Sequence, residues 1–69
     1  MYSIYCIKKD GLLDHIAGFK TIDDAYKLIA ENGFDWWQIR DFKGDVAALS
    51  VDEYNQKHLM KVKESLKND

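Results

Sequence analysis

Cys6, His15 and His58 are the residues of this chain best suited to nucleophilic or metal chemistry. A thiol beside an imidazole becomes a nucleophile only if a third group orients the ring and donors await the oxyanion. The same pair makes only half of a closed zinc site, which takes four ligands. A two-residue turn at Asp10-Gly11 would set Cys6 opposite His15, so the pair is geometrically conceivable. The plainer role is a small buried thiol next to a hydrogen-bonded histidine. His58 falls on the apolar stripe of a helix and reads as a boundary residue.

The carboxylates have structural work available to them. Asp23, Asp24, Asp52 and Glu53 sit at helix starts, where capping and the helix dipole favour acids. Asp10, Asp41 and Asp45 are turn residues, and Asp14 on a strand is a weak candidate for acid-base chemistry. The chain carries no phosphate-cradling glycine loop, metal-ligand spacing or nucleophile elbow. A chain this short seldom encloses a pocket of the usual size. The expectation is therefore a protein that is not an enzyme, with no catalytic, cofactor-binding or metal-binding residues and no cofactor.

The elements that must position these residues are legible from turns and caps. Tyr2 to Lys9 and Leu12 to Phe19 are rich in β-branched and aromatic side chains. Asp10-Gly11 between them suits a type I′ turn, which predicts a hairpin. Thr21-Ile22-Asp23-Asp24 resembles a capping box, and Ile22, Ala25, Tyr26 and Ile29 recur at helical spacing. Asn32-Gly33 is the stop signal, so a helix is predicted over Ile22 to Glu31, with Phe34 folding back onto Ile29.

Asp35 to Phe42 reads as a third strand, and Asp41-Phe42-Lys43-Gly44 matches a type I turn. Val46 to Leu49 is either the returning strand or the start of a long helix capped by Asp45; the turn favours the strand. Ser50-Val51-Asp52-Glu53 is a full capping box. The final helix then carries Val51, Tyr54, His58, Leu59, Val62 and Leu66 as one stripe. The fold class is α+β: a single ββαββα domain over residues 1–69, its antiparallel hairpins in one sheet and both helices on one face. The halves share a pattern of hairpin turn, cap and helix, which either a duplicated ββα unit or two generic helix starts would produce.

Side chains alternate across a strand, so register assigns faces. The two-residue turn would pair Ile4 with Ala17 and Tyr2 with Phe19 on one face, and Tyr5 with Ile16 on the other. A bulge at Gly44 would set Ile39 against Ala47 and Trp37 against Leu49 on the core face, and Arg40 against Val46 and Gln38 against Ala48 outside. The expected outer face holds Tyr5, Ile7, Ile16, Trp36, Gln38, Arg40, Val46 and Ala48. That is too apolar for a solvated sheet face, so either a loop or the last helix of the chain covers it, or a partner does. The candidate partner-binding residues are Tyr5, Ile7, Ile16, Trp36, Gln38 and Arg40.

Composition narrows the partner. The net charge is −2, too little basic charge for a duplex nucleic-acid binder. Lys57, Lys61, Lys63 and Lys67 are balanced by Asp52, Glu53, Glu64 and Asp69. No apolar run approaches the ~20 residues that span a bilayer, and Lys8, Lys9 and Asp10 interrupt the apolar start as no signal peptide would. One cysteine excludes an internal disulfide and suits a reducing, cytoplasmic setting. The leading expectation is a small protein-binding module: an adaptor, inhibitor or regulator, with viral and mobile-element accessory proteins among the class, and a homodimer as one form of partnership. A single-stranded nucleic-acid binder using Trp36, Tyr5 and Arg40 is the second reading. A small-molecule sensor with its site between sheet and helices is the third.

Overall fold

Gly11 decides the shape of the first hairpin. A type I′ turn would need positive φ at Asp10 as well, and among the described residues only glycines have it. In the computed structural model, which describes residues 1–67, the chain uses a three-residue loop instead. Gly11 N–H donates to Lys8 C=O at 2.8 Å, and Lys8 N–H donates to Leu12 C=O at 3.0 Å. Gly11 alone takes the left-handed conformation, at φ 85°. Asp10 Oδ1 accepts from Leu12 N–H at 3.0 Å, satisfying the donor that the bulged turn leaves over.

The longer loop moves β2 (Leu13–Phe19) by one residue along β1 (Tyr2–Ile7). Cys6 now opposes Asp14, Tyr5 opposes His15 and Ile4 opposes Ile16. The expected Cys6–His15 and Ile4–Ala17 pairs are thereby corrected, and Ile16 turns to the core face while His15 and Ala17 turn outward. A second irregularity, at Gly18 with φ 97°, restores the expected Tyr2–Phe19 pair.

The second hairpin repeats the device. Gly44 N–H donates to Asp41 C=O at 3.0 Å, and Asp41 N–H donates to Asp45 C=O at 2.9 Å. Val46–Leu49 is a strand, β4, and pairs with β3 (Trp36–Arg40). Arg40 opposes Val46 as expected, but a bulge then sets Ile39 against Ala48 and Gln38 against Leu49. Ala48 is therefore a core residue and Leu49 an outer one, the reverse of the expected register. The four strands form one antiparallel sheet in the order β2-β1-β3-β4.

Helix α1 (Ile22–Asn32) starts and stops where its caps direct. Thr21 Oγ1 accepts from Asp24 N–H at 3.2 Å, and Gly33, left-handed at φ 63°, donates its N–H to Ile29 C=O at 2.9 Å. Helix α2 (Glu53–Lys67) starts later than the Ser50 capping box predicts. Ser50 is already engaged by β3: its hydroxyl accepts from Trp37 N–H at 3.2 Å, and its own N–H donates to Trp37 C=O at 3.0 Å. Asp52 serves as the cap instead, its Oδ1 accepting from Tyr54 N–H at 2.9 Å. Val51 and Tyr54 are consequently exposed rather than part of the packed stripe.

The chain is α+β with the order ββαββα. Ile4, Cys6, Trp37, Ile39 and Ala48 from the sheet pack with Ala25, Tyr26 and Ile29 of α1, and Leu59 and Val62 of α2 close over this core. Tyr26 meets the Trp37 indole edge-on, with centroids 5.6 Å apart. The offset that carries Gly11 to Gly44 also carries Tyr5 to Gln38, and Tyr5 pairs with Gln38 at the β1–β3 seam. The equal offset covers the two turn glycines and the seam only, since β4 departs from it where Ile39 opposes Ala48.

Two stability measurements check this architecture. A Cβ at Gly11 would meet nothing within 4 Å, so Gly11→Ala carries only the conformational penalty of positive φ, about 1–2 kcal/mol by chemical denaturation. Trp37→Ala removes a 3%-exposed indole and should cost about 3–5 kcal/mol, a large share of a small domain's stability.

Candidate binding face

Because β1 and β3 are the central strands, the residues between their core positions must point to the other side of the sheet. The outer face therefore has three rows across the strands. Leu13, Ile7 and Trp36 form the first; His15, Tyr5, Gln38 and Leu49 the second; Ala17, Ser3, Arg40 and Val46 the third. Of the expected site residues, Tyr5, Ile7, Trp36, Gln38 and Arg40 meet on this face. Ile16 does not: it opposes Ile4 and packs against the core. Leu13, His15 and Leu49 join the face in ways that sequence reasoning missed. Asp10-Gly11 carried no signal that could have found Leu13 and His15, because the pair suits either turn; the longer loop follows from positive φ at Gly11 without it at Asp10.

The first row is apolar and open to solvent at its edge, with Leu13 76% exposed. Polar order begins in the second row. The Tyr5 and His15 rings stack with centroids 4.3 Å apart and planes 18° from parallel. The Arg40 guanidinium also lies over the Tyr5 ring, 5.0 Å from its centroid. Gln38 Oε1 accepts from Arg40 Nε at 2.8 Å, which fixes the guanidinium at its inner end. Trp36 is half-buried beside Ile7, whereas its neighbour Trp37 is in the core.

Cys6 and His15 lie on opposite faces, so no thiol–imidazole pair forms. Burial pushes the Cys6 thiol up from its ordinary value, and the Asp14 carboxylate adds to that. His58 instead bridges the helices, with Nε2 3.4 Å from Asp23 Oδ1 and its ring against Tyr26. Among the described residues no three His, Cys, Asp or Glu side chains come together as a metal would need. No helix among them is long and apolar enough to cross a membrane. Of the acids expected to balance the lysines of the last helix, Asp69 lies outside the described residues.

No protein-family model matches the chain, and no curated protein or solved structure matches it. The geometry alone carries the functional argument.

At the β2 edge, on the helix side of the sheet, Lys8 Nζ lies 3.1 Å from Asp14 Oδ2. This hydrogen bond, and a second from His15 N–H, hold the Asp14 carboxyl below its ordinary 3.8; the same pair holds Lys8 above 10.5. A depressed carboxyl stabilises the fold above its unfolded value, and that contribution is lost as pH falls through the folded one. Asp14→Asn should therefore lower the denaturation midpoint at pH 7, by a small amount for so exposed a pair. The gap to the parent should close as pH falls below 3.8. A gap that persists at pH 2 would assign the loss to packing rather than to charge.

Proposed function

We propose that this chain is a non-enzymatic protein-binding module, an adaptor, inhibitor or regulator, that docks through its outer sheet face. The observation that carries the reading is the composition of that face: Leu13, Ile7, Trp36, Tyr5, Leu49 and Val46 share it, and both helices pack on the opposite side. A sheet face left to water is ordinarily polar. Tyr, Trp and Arg are also the residue types that dominate interface energetics, and Tyr5, Trp36 and Arg40 lie together here. Tyr5 and Arg40 are ordered by the chain itself, through the Tyr5 stack and the Gln38 hydrogen bond, so less freedom is lost when they dock. The free, buried Cys6 is compatible with a reducing cytoplasmic setting. A homodimer through the same face is one form of this function.

A single-stranded nucleic-acid binder would use the same aromatic residues but needs basic charge around them. Arg40 is the one arginine or lysine in the three rows. The protein reading therefore ranks first.

Trp36→Ala is the decisive variant. It should cost less stability than Trp37→Ala and should weaken association, with a captured protein partner or with a second copy, by about 2 kcal/mol or more. Sedimentation across a concentration range reads the homodimer, and capture from the native cell with parent and variant in parallel reads a heterologous partner. Apolar docking should change little between 50 and 200 mM salt, whereas phosphate contacts weaken steeply. Association that survives Trp36→Ala, or that collapses with salt, would refute docking through this face.

A further inference from the structure

The third row of the outer face is notched where its side chains are small. Ser3, Ala17 and Gly18 floor a depression of about 380 Å³, walled by Tyr5, Arg40 and Phe42. His15 and Met1 stand at its rim, with Phe42 78% and Met1 69% exposed. Among the described residues the ion pairs are Lys8–Asp14, Lys57–Glu53 and His58–Asp23. Arg40 belongs to none of them. Its Nε is taken by Gln38, so the terminal N–H groups of a half-buried, ring-stacked guanidinium remain for a ligand. Asp41 also reaches the rim, but its Oδ1 accepts from Lys43 N–H at 2.9 Å and Asp45 N–H at 3.0 Å, closing its own turn.

The geometry points to a carboxylate subsite: Arg40, with the Ser3 hydroxyl and a ring N–H of His15 nearby, receives the side-chain carboxylate of an acidic residue on a protein partner, while the apolar flank of that segment rests on Phe42, Met1 and Ala17. A planar guanidinium fixed at one end suits bidentate pairing with a carboxylate. Of the two charged side chains that line the notch, Asp41 is engaged by its own turn, so the donors open to a ligand are those of Arg40, set among apolar surface. A single acidic side chain beside apolar ones matches that pattern, whereas a nucleic-acid backbone presents repeated phosphates that this face does not answer. The inference rests on the outer face being a docking surface and names the chemistry that one corner of it selects.

The test uses the full chain, isotopically labelled, and an end-blocked tripeptide with glutamate between two leucines. The Arg40 Nε–H resonance and the Ser3, Ala17 and Gly18 amides should shift saturably. The same peptide with glutamine for glutamate should bind at least ten-fold more weakly. Arg40→Gln should lose affinity for the glutamate peptide at least ten-fold, and Arg40→Lys, which keeps the charge without the fork, should fall between. Lys61→Gln removes the same charge from α2 and should leave the titration unchanged. Thermal melts of each variant establish that it is folded, and the Arg40→Lys comparison stands if Arg40→Gln is not. Equal binding of the two peptides, or equal losses in the Arg40 and Lys61 variants, would overturn the subsite. So would tighter binding of oligothymidylate at the same resonances. Because no partner enters this titration, its failure leaves a Trp36-dependent association standing, and loss of that association leaves a positive titration standing.

Discussion

The contact on which this molecule depends is the burial of Ile4, Cys6, Trp37 and Ile39, from the two central strands, beneath Ala25, Tyr26 and Ile29 of α1. A chain of 69 residues with one cysteine has no cross-link to lean on and little surface to hide. Those side chains must therefore share one side of the sheet. Once they do, alternation leaves Tyr5, Ile7, Trp36, Gln38 and Arg40 no choice but the other side. The candidate binding face is in this sense a by-product of the core, and among the described residues no third layer packs on it.

The parts of the fold that local chemistry controls were readable from the residues. Thr21, Gly33 and the apolar spacing of α1 define that helix almost to the residue, and Asp41 with Gly44 defines the second turn. The faces of β1 and β3 followed as well, because each strand alternates without interruption. What was not readable was the number of residues absorbed by irregularities. Gly11 serves a bulged type I turn as well as a type I′ turn, and Asp10-Gly11 does not separate the two until the φ of Asp10 is known. Gly18 and the Ala47 bulge add further one-residue shifts. Each moves its neighbours to the opposite face, which is why Ile16 and Ala48 went inward while His15, Ala17 and Leu49 came out. The late start of α2 has a different origin. A capping box is a local pattern, and the long-range bonds between Ser50 and Trp37 outcompete it.

The register correction changes the chemistry of the face as well as its roll of residues. With Ile16 outward, Tyr5 would have an aliphatic neighbour and the face would be a uniform apolar plate. With His15 there instead, Tyr5 is in contact with both an imidazole and a guanidinium, and Gln38 holds that guanidinium in place. Small residues at Ser3, Ala17 and Gly18 then leave relief beside that row. A face with relief and fixed donors discriminates among partners, because a wrong group leaves buried polar atoms unpaired.

Trp36 and Trp37 are adjacent in sequence yet stand in different media, one half-buried on the outer face and one in the core. The two indoles, the only tryptophans of the chain, thus differ in their access to water. Aqueous quenchers reach the Trp36 indole in the folded state, whereas the Trp37 indole is shielded until the core opens. Tryptophan emission of the unlabelled chain is therefore expected to respond to coverage of the outer face through Trp36 and to loss of the fold through Trp37.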